Sequence, residues 1–179
     1  MKLKIKVKRI NKNLPMPEII KKGDWIDLRA SRTVSMIGPQ AGTLKYHQVG
    51  EERVGHRDVE FHSELIPLGI AVELPKGLEA IVVSRSGTFK NFKIILTNGI
   101  GVIDYTYKGD QDEWKFNALA FADTVINEGD RIAQFRIQLS QKSTVWHKLK
   151  WLLSSGIKLV EVKRLGNPDR KGIGSTGVK

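Results

Sequence analysis

The chain opens on strict alternation. From Met1-Lys2-Leu3-Lys4 through Ile5-Lys6-Val7-Lys8, an extended backbone puts apolar residues on one side and lysines on the other. This period of two predicts a strand over Lys4–Ile10 with one lysine face in water, a pattern suited to the edge of a sheet. Short β-like runs recur at Trp25–Arg29, Gly69–Leu74, Glu79–Ser84, Ile94–Leu96, Gly101–Ile103, Asp130–Leu139 and Lys158–Lys163. Turn signals separate them: Lys22-Gly23-Asp24, Pro75-Lys76-Gly77, Asn98-Gly99, Lys108-Gly109-Asp110 and Glu128-Gly129-Asp130. Many short strands with no strand–helix alternation predict an all-β barrel or sandwich and argue against a doubly wound nucleotide fold. No internal repeat is visible.

Two segments break this rhythm. Gly38 to Val59 is polar, glycine-containing and of mixed charge, and reads as a long excursion from the barrel. Ser143–Ser155 predicts one short helix, with Ser143 or Thr144 capping its start and Gly156 stopping it. Val145, Leu149 and Leu152 line one face, with Trp146 and Leu153 beside them. Such a helix is expected to pack on its own barrel; the alternative is a contact surface for another subunit or protein. The length suits one domain: a barrel over 1–164 with insertions at about 38–59 and 141–156, followed by a flexible tail over 165–179.

Thirty lysines and arginines against 19 aspartates and glutamates leave a formal charge of +11. That favours polyanions: nucleic acid, anionic membranes or phosphorylated small molecules. The positive residues are scattered, so charge alone does not choose among them. No apolar run approaches the ~20 residues of a membrane span, and the basic start lacks the continuous apolar segment of a signal peptide. With no cysteine there is neither a disulfide nor a thiolate metal site, which fits a reducing compartment.

Several segments carry residue types with chemistry in them. Ser84-Arg85-Ser86-Gly87-Thr88 follows an apolar strand, and a small turn with an arginine binds phosphate through N–H groups and a guanidinium fork; a solvated turn is the plainer reading. Gly101 to Gly109 reads as a β-hairpin that places Asp104 just after a strand end, where a carboxylate can hold a water as general base, and Tyr107 three residues on, where an aromatic can stack on a sugar. In Gly129 to Gln134 a turn enters a strand, with Gln134 a neutral donor for phosphate; otherwise Asp130 and Arg131 pair across a tight turn. Asp27 lies inside a strand pattern and requires partners: a backbone turn, an arginine or a hydrated metal. Gly172-Ile173-Gly174-Ser175-Thr176-Gly177 offers N–H groups and hydroxyls of the kind that cradle phosphates, without the lysine or the strand-to-helix context of a P-loop. His47, His56, His62 and His147 show no metal-ligand spacing and read as surface or packing residues.

Each segment is ambiguous alone, but in this order they resemble the five motifs of the trimeric dUTPase family. Gly23–Ala30 is similar to the first motif, Ser84–Gly87 to the second, Asn98–Gly109 to the third, Gly129–Gln134 to the fourth and Gly172–Gly177 to the fifth. Gly23-Asp24-Trp25-Ile26-Asp27, with Lys108-Gly109-Asp110-Gln111-Asp112-Glu113-Trp114, looks most like the branch from Gram-positive bacteria and their phages. The resemblance implies an all-β, jelly-roll-like barrel, a homotrimer, and active sites assembled from several chains. It implies hydrolysis of dUTP to dUMP and pyrophosphate with Mg²⁺, in the cytoplasm of a bacterium or a phage-infected host. Asp104 matches the residue that deprotonates the attacking water, Tyr107 the aromatic under the deoxyribose, and Asn98 the group that reads uracil. Arg85, Ser86, Gly87 and Gln134 match phosphate contacts. Asp27 matches a carboxylate near the metal's water shell. Gly174, Ser175 and Thr176 match the tail that closes over the β- and γ-phosphates, with Arg170 or Lys171 as candidate γ-phosphate contacts. Ile173 stands where the fifth motif usually has an aromatic, and Ser84 where the second usually has proline.

Three other readings compete. Deamination of dCTP on the same fold commonly needs a glutamate at the base, and Asn98–Gly109 contains none. An interaction protein gated by nucleotide could engage a regulatory partner through the insertions, alongside catalysis. A plain nucleic-acid binder rests on charge alone, and no sequence-specific nucleic-acid partner or membrane is expected.

Overall fold

The computed structural model describes residues 2–19 and 23–170. Its strands, in chain order, begin with β1 (Leu3–Arg9), β2 (Ile26–Arg29), β3 (Val34–Met36), β4 (Gln40–Val49), β5 (Glu52–Glu60), β6 (Ser63–Pro67) and β7 (Ile70–Glu73). They continue with β8 (Leu78–Ser84), β9 (Ile94–Leu96), β10 (Gly101–Asp104), β11 (Lys115–Ala120), β12 (Thr124–Ile126), β13 (Arg131–Leu139) and β14 (Ile157–Glu161). Two short helices join them, α1 (Thr88–Phe92) and α2 (Val145–Leu152). The expected β-rich architecture is present, with one helix more than the pattern predicts. At five residues, α1 is too short to show a helical period.

A four-stranded sheet, ordered β10-β8-β13-β2, carries most of the chemistry. Against it lie β14-β1-β7 and β6-β11-β9, with β12-β3 as a small pair. The inward faces meet in one core. Alternation puts Phe116, Ala118 and Ala120 of β11 and Phe135 and Ile137 of β13 inside, and the Trp114 ring meets Phe135 edge to face at 5.1 Å. In β1 the alternation holds, with Leu3, Ile5 and Val7 buried and Lys4 and Lys6 exposed. Its position differs from the expected sheet edge: β1 is the central strand of its sheet, antiparallel to β7 and parallel to β14 from the far end of the chain. A parallel partner 154 residues away leaves no local trace, and lysines on the wet face are compatible with either position.

Gly38–Val59 is not irregular. Most of it is an antiparallel ribbon, β4 paired with β5, and among the described residues no other strand hydrogen-bonds to either. Nearly every side chain on it is exposed, so neither face carries the apolar alternation that marks a strand. The helix at 145–152 is also present. The Thr144 hydroxyl accepts from the His147 N–H and the His147 ring accepts from the Thr144 N–H, a capping box closed by histidine. It meets the barrel as expected, but through a different face from the Val145, Leu149 and Leu152 stripe. Val145, Trp146, Leu152 and Leu153 are exposed, and Trp151 is the residue that meets the core.

Candidate active site

The expected site residues fall into two groups at opposite ends of the four-stranded sheet. The first group gathers where β8, β13 and β2 lie side by side. Asp27 on β2 pairs directly with Gln134 on β13, which in turn pairs with Val83 on β8. Arg85 follows β8, and its Nε donates to Asp27 Oδ1 at 2.7 Å, while Arg131 Nη1 donates to Oδ2 at 3.0 Å. The carboxylate that needed partners thus has two guanidiniums, and Arg131 pairs with Asp27 rather than with Asp130. Asp130 instead closes its own turn by accepting the Asn127 N–H. Gln134 Nε2 donates weakly to the Ser84 carbonyl at 3.4 Å.

Ser86 and Gly87 form the turn into α1, and neither N–H has a partner among the described residues. Thr88 fixes that turn. Its buried hydroxyl accepts the Arg85 N–H and donates to the Ile132 carbonyl at 2.8 Å, tying the end of β8 to β13. Reading the sequence did not single out Thr88, because a buried hydroxyl serving backbone groups has no signature of its own.

The second group surrounds Asp104. The expected hairpin over Gly101–Gly109 does not form: β10 pairs with β8, and the chain turns at Tyr105 and Thr106 and runs on to Gly109 as irregular backbone. Register puts Asp104 opposite Glu79, whereas Arg85 follows Ser84 at the other end of β8, about 17 Å of strand away. Exposed Asn98 precedes β10 at its Gly101 end. Asp104 Oδ1 accepts from the N–H and hydroxyl of Thr106, and Oδ2 accepts from Arg170 Nη1 at 2.9 Å. Partial burial pushes the Asp104 carboxyl up, but the Thr106 bonds and the Arg170 guanidinium outweigh it and hold the group below its ordinary value. Tyr107 turns its hydroxyl to the Glu113 carbonyl at 3.0 Å and packs its ring against the core. Burial, with Asp112 and Glu113 nearby, raises its phenol above the usual range.

Arg170 reaches Asp104 because residues 165–170 fold back over this corner. Asp110 accepts the N–H groups of Leu165 and Gly166, and Lys8 bridges to its carboxylate at 3.1 Å. Asp112, buried, accepts from Gly109 N–H at 2.7 Å and from Arg170 N–H at 2.9 Å. Asp169 accepts the Gln111 N–H. Gly109 is required by this crossing, since a Cβ there would lie 2.2 Å from Asp169 Oδ1 and 2.5 Å from its Cα. Asp110 and Asp112 were missed as site residues. The Asp110-x-Asp112 spacing after a glycine is their signal in the sequence. Gly174, Ser175 and Thr176, with the rest of the expected fifth motif and Lys171, lie outside the described residues.

The fold defined by these elements is that of solved dUTPases. A dUTPase from phage phi11 of S. aureus superposes with a TM-score of 0.58 at 19% identity, covering 79% of this chain and 94% of that one. The dUTPase of Streptococcus mutans gives 0.56 at 15% identity, covering 74% and 94%. The dUTPase family profile matches residues 58–150. The SPbeta prophage-derived deoxyuridine 5'-triphosphate nucleotidohydrolase of Bacillus subtilis is 42% identical over 99% of this chain and 100% of its own length. The Neorickettsia sennetsu enzyme is 33% identical over 94% of this chain and 91% of its own. The chain belongs to the dUTPase family and, with it, to the dUTP diphosphatases.

Proposed function

We propose that Asp104 is the general base that drives hydrolysis of dUTP to dUMP and pyrophosphate in this chain. Its carboxylate takes a proton from water as the water oxygen bonds to the α-phosphorus, and the bond from that phosphorus to the pyrophosphate oxygen breaks. One observation carries the reading: an ionised, half-open carboxylate at a strand end, flanked by Tyr107 and by an arginine that arrives on the returning chain. Tyr107, fixed by its hydroxyl, is suited to pack under the deoxyribose and leave no room for a 2′-hydroxyl. Asn98 reads the uracil edge. Arg85, Ser86, Gly87 and Gln134 take the phosphates, and Gly174, Ser175 and Thr176 close over the β- and γ-phosphates, so that water is excluded before chemistry. Asp104→Asn should keep dUTP binding and lose about 10²–10⁴-fold in turnover; an active variant removes the assignment. Deleting Gly172–Lys179 should cripple turnover while the barrel stays folded.

Asp27 is assigned to positioning Arg85 and Arg131, since both of its oxygens are taken by them. Among the described residues no three His, Asp or Glu side chains converge on a common point. The ion is expected to arrive on the triphosphate, touching Asp27 through water.

The separation of the two groups supports a homotrimer in which each site is shared. Asp104 of one chain cannot meet Arg85 of the same chain on one α-phosphate, but chains packed around a threefold axis can bring the opposite sheet ends together. The exposed apolar side chains of α2 fit a contact between those subunits. Removing 141–156 without changing oligomer mass or turnover would withdraw that role.

A further inference from the structure

The β4–β5 ribbon brings together two histidines that nothing in their spacing connects. Lys45 pairs with His56 and His47 with Val54, so His47 and His56 are diagonal neighbours on one face of the ribbon. Their Nδ1 atoms lie 3.2 Å apart, with the rings edge to face at 5.1 Å. Two ligand nitrogens about 2.0–2.1 Å from a shared ion stand about 2.9 Å apart at a right angle and about 3.3 Å apart at the tetrahedral angle. The observed gap falls between these values, so the two nitrogens already stand at the spacing of ligands to one ion.

A carboxylate lies on the outer side of the pair. Asp58 Oδ1 is 3.9 Å from His56 Nε2, and Asp58 is itself held by Lys45. A proton on His56 Nε2 leaves the Nδ1 lone pair free for an ion, and Asp58, drawn closer, would then be the outer carboxylate that orients a metal-bound imidazole. Without an ion, the gap suits an N–H···N hydrogen bond, with the donor set by the tautomers. When an ion enters, that proton moves to the donor ring's Nε2, and no net charge is lost from the rings.

We propose that His47 and His56 form a two-imidazole site for a late first-row dication, Zn²⁺, Ni²⁺ or Cu²⁺, which staples β4 to β5. Paired imidazoles suit these ions, whereas Mg²⁺ prefers oxygen ligands and binds them poorly. The staple has a physical purpose. A two-stranded ribbon without a third strand is marginal in water, and this one stands apart from the other sheets. Its opposite face has its own fastening, with Tyr46 lying over Gly55 and Arg53 stacked on the Tyr46 ring at 4.3 Å. The remaining coordination positions open to water, since His56 and Asp58 are each about half exposed. This site is separate from the reading of Asp104 and does not depend on it.

Calorimetric titration of the full chain with Zn²⁺, in excess Mg²⁺, should show one saturable site per chain. His47→Phe and His56→Phe keep a ring and strand propensity at each position while removing the ligand. Each should weaken Zn²⁺ at least about 10-fold, and Asp58→Asn about 10-fold. Zn²⁺ should slow tryptic cleavage after Arg53 and Arg57 in the parent chain and leave the rate unchanged in the phenylalanine variants. Turnover of dUTP with Mg²⁺ should be the same in all of them. Absence of saturable uptake overturns the site. So does uptake that survives in the double phenylalanine variant, or that disappears instead with His62→Ala or His147→Ala.

Discussion

Asp104 is an ionised carboxylate that also faces a cation. Thr106 and Arg170 hold it below the ordinary carboxylate range, so the group is ionised at neutral pH, and Arg170 limits how strongly it pulls on a proton. Removing the guanidinium should let the pKa rise. In Arg170→Ala the acid limb of the kcat/KM profile should therefore move to higher pH, read from initial rates across the acid range; an unmoved limb would disconnect Arg170 from Asp104. Gly109 makes the sharpest steric prediction. Gly109→Ala puts a methyl into Asp169, so residues 165–170 should leave the surface and turnover should fall, while the thermal midpoint of the barrel changes little. In the core, Phe135→Ala removes a fully buried ring that packs on Trp114 and should cost about 3–5 kcal/mol in denaturant unfolding.

At the scale of elements, the returning segment 165–170 is fastened mainly by carboxylates. Two backbone N–H groups, Leu165 first, and Lys8 depress Asp110. A carboxyl with a depressed folded pKa contributes stability above its unfolded value and loses it as the pH falls through the folded one. This fastening should accordingly hold at neutral pH and release only below about pH 4, seen as loss of protection of the Leu165 and Gly166 amides before the barrel melts. Protection that persists until global unfolding would contradict it. Elements also show what a sequence pattern can carry. The strands from Leu78–Ser84 and Arg131–Leu139 were legible because one face is buried and the residues alternate. The ribbon was not, because water covers both of its faces and selects no period. The α2 helix was legible from its Thr144 cap, but it ends at Leu152, capped by Leu153, short of the expected Gly156, and its core-facing side was not legible, since Trp151 rather than the Leu149 stripe makes that contact.

For the whole molecule, the decisive quantity is the distance along β8 between the level of Asp104 and that of Arg85. If each site draws one residue from each of two chains, a mixture of Asp104→Asn and Arg85→Ala chains will regain activity that neither variant has alone. Some interfaces in mixed trimers then hold both intact residues. Refolding the two variants together and assaying pyrophosphate release tests this, and no recovery would place the whole site within one chain. The net charge of +11 acts at this scale too, drawing a polyanionic substrate toward the protein without specifying where it binds.

The sequence by itself determined the class of fold, the order of the motifs and the identity of the chemical groups. Alternation, glycine turns and residue type are local properties, written within a few positions of one another. Tertiary structure alone decided which of those groups meet. It set Asp27 between Arg85 and Arg131, brought Arg170 onto Asp104, parted Asp104 from Arg85, and joined His47 to His56. Each of these contacts follows from strand register and chain return across tens of residues, where no local preference reaches.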